Sequence, residues 1–453
     1  MRPREKKRDG QDSLFRDRLE NILNQKHELF RLAGIIDWAS LEQEFGKNYS
    51  ENGRPGIPIR LMVGLTYLEH AIGFSDEEVV ARWVENPYWQ YFCGEEYFQH
   101  ELPIDPSSLS RWRKRIGEEG AETILATTVQ AGVASEAVKE SSFERIIVDT
   151  TVQPKAVTYP TDAKLYNHAR EILVRLCRDS GIGLRQSYSR IGPRTAMMAA
   201  RYFHARQAKR GKRAVKKLKT ILGRVYRDVE RKITENPTAQ GVFAHTMELV
   251  ERLLHQERHD KNKLYSLWAP EVECISKGKS HRKYEFGVKV SVATTNRDNF
   301  VVGMQAVHGN PFDGHTLQQA LTQVERVTNQ KPERCYVDRG YRGNGVSEVA
   351  VFISGRKRGV TPTIKKELRR RSAIEPVIGH MKEDGKLGRN HLRDRLGDKI
   401  NALLCGGGHN LRIILRKLRE FLSFLRGSIY AVLCITLRSD FLVCPDIMPV
   451  AAK

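Results

Sequence analysis

The sequence predicts an α/β protein. A sheet of about five strands is preceded by a purely helical region and interrupted after its first strand by a long, basic, helical insertion. Three observations carry this expectation. Runs rich in β-branched and aromatic residues occur at Arg145–Val152, Tyr284–Thr294, Phe300–Val307, Arg334–Val337 and Val349–Ile353. Before residue 140 the apolar positions recur only at helical spacing. Between the first and second strand-like runs the pattern is again helical, and there Arg185–Lys232 holds 16 Lys or Arg against two acids, Asp228 and Glu230.

Taken in order, Pro58–Ile72 reads as a helix that Pro58 opens and Gly73 ends. Ser75 and Glu78 have capping-box spacing before a second helix whose Val79, Val80, Trp83 and Val84 face a core. Pro87 starts an aromatic-rich segment, and Asp105-Pro106 precedes a helix carrying Arg111, Arg113, Lys114 and Arg115. That basic helix suits docking on DNA, and equally a solvated face. In the insertion, Val215, Leu218, Leu222, Val225 and Val229 form one apolar stripe, leaving the other faces to Lys and Arg. After the second strand run, helices are expected at His315–Val327 and Lys365–Lys382. The division expected is a helical N-terminal domain (1–140), the first part of the core (141–160), the basic insertion (161–280), the second part of the core (281–420) and a C-terminal tail (421–453).

Charge narrows the partner. The 453 residues carry 76 Lys and Arg against 54 Asp and Glu, a formal net charge of +22, which attracts polyanions. Nucleic acid is the first candidate and an anionic membrane the second; a solvated basic surface needs no partner at all. The basic insertion lacks the aromatic apolar face that membrane binding favours. No apolar run is long enough to span a bilayer, and the charged Met1–Gly10 does not resemble a signal peptide. Seven dispersed cysteines without a CxxC pair argue for reduced thiols, against a structural zinc site, and for a cytoplasmic protein.

Three acids stand out. Asp149 interrupts a β-branched strand, where a carboxylate is costly unless paired or bound to a cation. Asp338 ends a strand in Cys-Tyr-Val-Asp-Arg-Gly-Tyr-Arg-Gly (335–343), as a sheet-edge ligand or as an Asx-turn residue, with Arg339 and Arg342 placed for phosphate. Glu375 would share a helix face, within about 40°, with Arg371 and Lys382. The same glutamate could instead complete a capping box with Ser372, and Pro376 disfavours helical geometry at Glu375. Their order along the chain could bring three carboxylates to one sheet edge. Such a set suits Mg²⁺, and two ions about 4 Å apart stabilise both attacking and leaving oxygens in phosphodiester displacement.

At these residues the sequence resembles the insertion-sequence transposases with a ribonuclease H-like Asp-Asp-Glu core, nearest to the insertion sequence five group. The resemblance runs from Gly-Arg-Pro-Gly-Ile-Pro-Ile-Arg-Leu-Met-Val-Gly-Leu at Gly53 through Val-Asp-Thr-Thr-Val-Gln-Pro-Lys at Val148 and Tyr-Glu-Phe-Gly-Val-Lys at Tyr284. It continues in Asn-Pro-Phe-Asp-Gly-His-Thr-Leu at Asn310 and Asp-Arg-Gly-Tyr-Arg-Gly at Asp338, and ends near Asn410. It implies Asp149, Asp338 and Glu375 as catalytic metal ligands for Mg²⁺, with Mn²⁺ as a substitute, and Arg371, Lys382 and Arg342 as phosphate contacts. Asp313 and His315 fall in a family-like segment as second-tier candidates, Asp313 alternatively capping the following helix. In the family's helix signature, Y-x2-R-x3-E-x6-K, Leu368 stands where tyrosine is expected. The implied activity is cleavage of the terminal inverted repeats of an insertion sequence and joining to target DNA, by a homodimer on double-stranded DNA. The rival readings are a DNA-binding protein without catalysis, a metal-dependent nuclease without strand transfer, and a glycosidase using paired carboxylates, which fits the acids but not the charge.

Overall fold

A computed structural model of the chain describes residues 17–49, 55–234, 237–276, 283–356 and 358–440. The expectations for Met1–Gly10, for Gly53 and Arg54, and for the tail beyond residue 440 lie outside the described residues.

Before any strand come α1 (Leu19–Ile22), α2 (Glu28–Ile35), α3 (Trp38–Gly46), α4 (Ile59–Ile72), α5 (Asp76–Glu85), α6 (Pro87–Phe92) and α7 (Ser107–Ala134). Gly73 ends α4 in the left-handed region, φ 87°, and a side chain there would meet the carbonyl oxygen of Asp384 at 2.8 Å. The position therefore needs glycine twice over. Ser75 and Glu78 form the capping box that opens α5: Glu78 N–H donates to Ser75 Oγ at 3.2 Å, and Ser75 N–H to Glu78 Oε2 at 2.8 Å.

β1 (Arg145–Pro154) opens the sheet. Then come α8 (Asp162–Asp179), α9 (Ile191–His204), α10 (Ala208–Thr234) and α11 (Pro237–His255). The chain returns through β2 (Glu273–Ile275), β3 (Glu285–Thr295), β4 (Val301–Val307), α12 (Asp313–Thr328), β5 (Arg334–Val337) and β6 (Ala350–Ile353). It closes with α13 (Pro362–Arg370), α14 (Ile374–Glu383) and α15 (Asp394–Asp440). The sheet is mixed, ordered β2-β3-β1-β5-β6 with β4 also on β3; β1 is antiparallel to β3 and parallel to β5. β2, only three residues long, is too short to show any alternation in the sequence and is set by its pairing to β3.

The single helix expected over Lys365–Lys382 is broken. Arg371–Ala373 forms a 3₁₀ turn between α13 and α14. Pro376 explains the break: it cannot donate a hydrogen bond to the carbonyl of Ser372, and its ring crowds that carbonyl.

Burial divides the molecule in two. The helices before β1, the sheet and α12, α14 and α15 share one continuous core, which includes Trp83, Leu125, Val148, Val292, Leu321 and Leu403. The inserted helices have a core of their own, in which Leu218, Leu222, Val225 and Val229 of α10 meet Leu173, Phe243, Val250 and Leu253. The sequence's apolar stripe thus faces inward and its cations outward. No helix among the described residues is long and apolar enough to cross a membrane. Cys93, Cys177, Cys274, Cys335 and Cys405 are free thiols; the side chains of Cys434 and Cys444 lie outside the described residues.

Candidate active site

Sheet register brings the first two acids together. β1 and β5 pair Arg145 with Arg334, Ile146 with Cys335 and Ile147 with Tyr336. Asp149 and Asp338 each lie two residues further on, so register sets the two acids side by side where the pairing of β1 with β5 ends, Asp149 within β1 and Asp338 one residue past β5. Asp149 Oδ1 accepts the Thr150 N–H at 2.7 Å. Asp338 leaves the strand and accepts the Gly340 N–H at 2.8 Å, capping a one-turn 3₁₀ helix, Arg339–Tyr341. The Asx turn suggested by Asp before Arg-Gly therefore forms, and it holds the carboxylate at the sheet edge.

The same turn folds Tyr341 into the core, fully buried, with no hydrogen-bond partner for its hydroxyl. Burial first, then the charges of Asp149, Asp313 and Asp338, push its phenol far above the usual range. Asp313 does not cap α12; Phe312 occupies the N-cap position. Its carboxylate instead accepts from Thr150 Oγ1 at 3.0 Å and Lys289 Nζ at 2.9 Å, tying α12 to β1 and β3. Gly340 is enclosed by the two acids: a side chain there would meet Asp338 Oδ1 at 3.0 Å and Asp313 Oδ2 at 3.2 Å.

Glu375 is not brought into this cluster. It is 64% exposed and pairs with Arg371 Nη2 at 3.3 Å, while Arg371 Nη1 lies 3.7 Å from Asp149 Oδ2. One guanidinium thus bridges the first and third acids. Like charges repel, and Arg371, four residues back, offers Glu375 the nearest opposite charge. Nor does Glu375 form a capping box, since Ser372 Oγ donates to Arg369 O instead. Lys382, two turns along α14, lines a different cavity of about 670 Å³ with Glu69, Arg113 and Lys386, so of the expected face only Arg371 and Glu375 meet. Arg342 is exposed just beyond the 3₁₀ turn. His315 is exposed and packs its ring against that of Phe312.

Among the described residues no three Asp, Glu, His or Cys side chains form a ready-made metal site. What is assembled nonetheless fits a hard divalent cation in kind. The donors are carboxylate oxygens, which Mg²⁺ prefers. Arg371 already puts positive charge between Asp149 and Glu375. The buried Tyr341 hydroxyl has a hydrogen bond still to make.

Thr150, Lys289 and Tyr341 were not singled out from the sequence. All three lie inside motif segments, and a lysine within a β-branched strand is the signal that could have found Lys289. A second missed group is buried beside the sheet: Lys155 Nζ lies 2.7 Å from Glu271 and 2.8 Å from Asp398, joining β1 to α15.

Comparison with known proteins follows this geometry. Residues 17–115 match the family described as a transposase domain (DUF772), and residues 253–411 match the transposase DDE domain. An uncharacterized protein, ORF8 in the nfe locus of Rhizobium meliloti, is 54% identical over 198 residues, 44% of this chain and 96% of that protein. No solved structure matches.

Proposed function

Because the chain belongs to the DDE transposases of bacterial insertion sequences, enzymes that depend on a divalent metal, we propose that Asp149, Asp338 and Glu375 are its three metal-holding acids and that it cleaves and joins DNA at the ends of its element. The observation that carries this is the juxtaposition of Asp149 and Asp338 at matching register of the parallel pair β1 and β5, with Arg371 linking Asp149 to Glu375. The order β4-β3-β1-β5-β6, antiparallel through β1 and parallel beyond it, supports a ribonuclease H-like core.

Held by Asp149, Asp338 and Glu375, Mg²⁺, or Mn²⁺ in its place, would supply Lewis acidity for water activation and for neutralising phosphate charge. The protein does the rest. β1 and β5 hold two carboxylates at fixed spacing, Tyr341 offers a buried hydroxyl beside them, and Lys289 and Thr150 keep Asp313 turned toward β1. Arg371 exchanges its carboxylate partners for a phosphate when DNA enters, which releases Glu375 to complete the acid set. Lys382 and Arg342 extend the phosphate contacts along the DNA. Hydrolysis forms a bond from water oxygen to phosphorus and breaks P–O3′, leaving a 3′-OH. That hydroxyl then attacks a target phosphodiester and displaces the target's own 3′-oxygen. Two ends require two active sites, so the working assembly is a homodimer on DNA bearing terminal inverted repeats.

The test is a cleavage and joining assay with DNA carrying the gene's own flanks, Mg²⁺ or Mn²⁺, and the Asp338→Ala variant in parallel. Metal-dependent nicking at the flanks and a joined product, both absent in the variant, support the reading. Nicking without joining leaves a nuclease, and flank binding without cleavage in wild type and variant alike overturns the catalytic assignment.

A further inference from the structure

Helices α9 and α10 fold back on each other across residues 205–207, leaving a groove of about 610 Å³ between them. Its walls are two facing stripes at helical spacing. Arg190, Arg194 and Tyr202 come from the α9 side, and Arg210, Arg213 and Lys217 from α10. No carboxylate lines it, and among the described residues none lies within 4 Å of any of the five cations. Arg210 donates to the neutral Gln207 at 3.1 Å. Asp228, the nearest acid along α10, lies 11 residues beyond Lys217, about 16 Å along the helix, where it is buried and engaged by the Arg185 N–H and by Lys232. Five uncompensated positive charges around one groove repel one another, so the arrangement favours an anionic occupant.

The spacing favours a polyanion over a small anion. From Arg210 to Lys217 the stripe runs seven residues, about 10 Å along the helix, so the charges form a row and do not converge on one point. Phosphates advance about 3.4 Å per residue along one strand of a duplex, so a row of this length faces about three of them. No Asn, Gln, Asp or Glu lines the groove to read adenine or cytosine edges; Thr195 and Tyr202 are its uncharged polar side chains, and Thr195 Oγ1 is already engaged with Ile191 O at 2.7 Å.

We propose that this groove clamps the sugar–phosphate backbone of duplex DNA without reading its sequence, at a site built wholly on the inserted helices and separate from the Asp149–Asp338 edge. The proposal rests on the reading of the chain as a DNA transposase and specifies how the insertion serves it.

The experiment uses the full chain and fluorescence anisotropy over a salt series, with one duplex of the gene's flank and one of scrambled sequence. The groove variant is Arg194→Gln/Arg213→Gln/Lys217→Gln. A control of equal charge loss outside the groove is Arg201→Gln/Lys209→Gln/Lys216→Gln. All six positions are exposed, and circular dichroism checks that both variants keep their helices. The groove variant is expected to lose at least about tenfold in affinity for both duplexes alike, and its salt slope to fall by about 2 to 3, at roughly 0.9 per phosphate contact. The control variant should keep most of the wild-type slope. The proposal is overturned if wild type binds DNA and the groove variant matches it, if groove and control variants lose equally, or if only flank binding falls. Wild-type protein that binds neither duplex but binds phosphatidylserine vesicles, with vesicle binding lost in the groove variant, makes the occupant a membrane and overturns both this proposal and the DNA reading. Binding to no probe overturns both as well.

Discussion

Asp149, within β1, and Asp338, one residue past β5, lie at matching register, each two residues beyond the pair Ile147–Tyr336. Two like charges held side by side cost stability and are kept for what they bind. Asp338→Asn, which can still accept the Gly340 N–H, should therefore raise the stability of the metal-free protein by about 0.5 to 1 kcal/mol. It should also lower cleavage by more than about 100-fold and abolish the Mg²⁺-dependent rise in Tm. Thermal unfolding with and without Mg²⁺ measures both sides. A variant that is less stable and still shifted by Mg²⁺ would contradict the assignment.

Arg371 competes with a metal ion for Asp149 and Glu375, from 3.7 and 3.3 Å. Arg371→Gln should tighten Mn²⁺ binding by the DNA-free protein several-fold, because an opposing positive charge is removed. Cleavage should still fall, because the guanidinium that would take up phosphate has gone. Mn²⁺ titration followed by electron paramagnetic resonance checks the first half, and unchanged or weaker binding would show that the guanidinium does not compete.

The basic stretch Arg111–Arg115 is not a single free face. Arg113 is buried and forms ion pairs with Glu69 at 2.6 Å and Asp76 at 2.5 Å; Lys386, from the segment after α14, also reaches Glu69. Burial alone would raise the Glu69 carboxyl, but the charges of Arg113 and Lys386 outweigh it and hold the group below the usual range. Arg113→Met strands Glu69 in the core, and a loss of about 3 to 5 kcal/mol in stability is expected. Denaturant unfolding measures it, and a loss under about 1 kcal/mol would mean that Lys386 alone satisfies the site.

His409, on α15, is buried against the Asn299 carbonyl at 3.2 Å. Burial, reinforced by Arg412, lowers its imidazole to about 4. The unfolded chain takes up this proton below about pH 6.5 and the folded chain only below about 4. Acid therefore favours unfolding across that window: stability falls as pH drops from 6.5 toward 4 and this contribution levels off below. Relative to His409→Gln, wild type should lose on the order of 3 kcal/mol more over the window. Parallel pH-dependent denaturation curves would rule the effect out.

Much of this molecule was legible in the linear chain, for local reasons. The β-branched run around Asp149, the capping box at Ser75, the stop at Gly73 and the apolar stripe of α10 each depend on neighbours within a turn or two, and the structure forms each of them. The family itself was recoverable from ordered motifs, because spacing along the chain survives in the sequence. What only the tertiary structure decided depends on partners far apart in the chain. The pairing of β1 with β5 sets Asp149 beside Asp338, which lies 189 residues later. Lys289 and Thr150 turn Asp313 away from capping α12. Arg371, the local partner of Glu375, also reaches Asp149, 222 residues earlier in the chain. Periodicity states which face of a helix a residue occupies; it does not state which groups from elsewhere in the chain that face will meet, and here strand pairing and the long-range ion pairs Lys289–Asp313 and Arg371–Asp149 decide which groups come together.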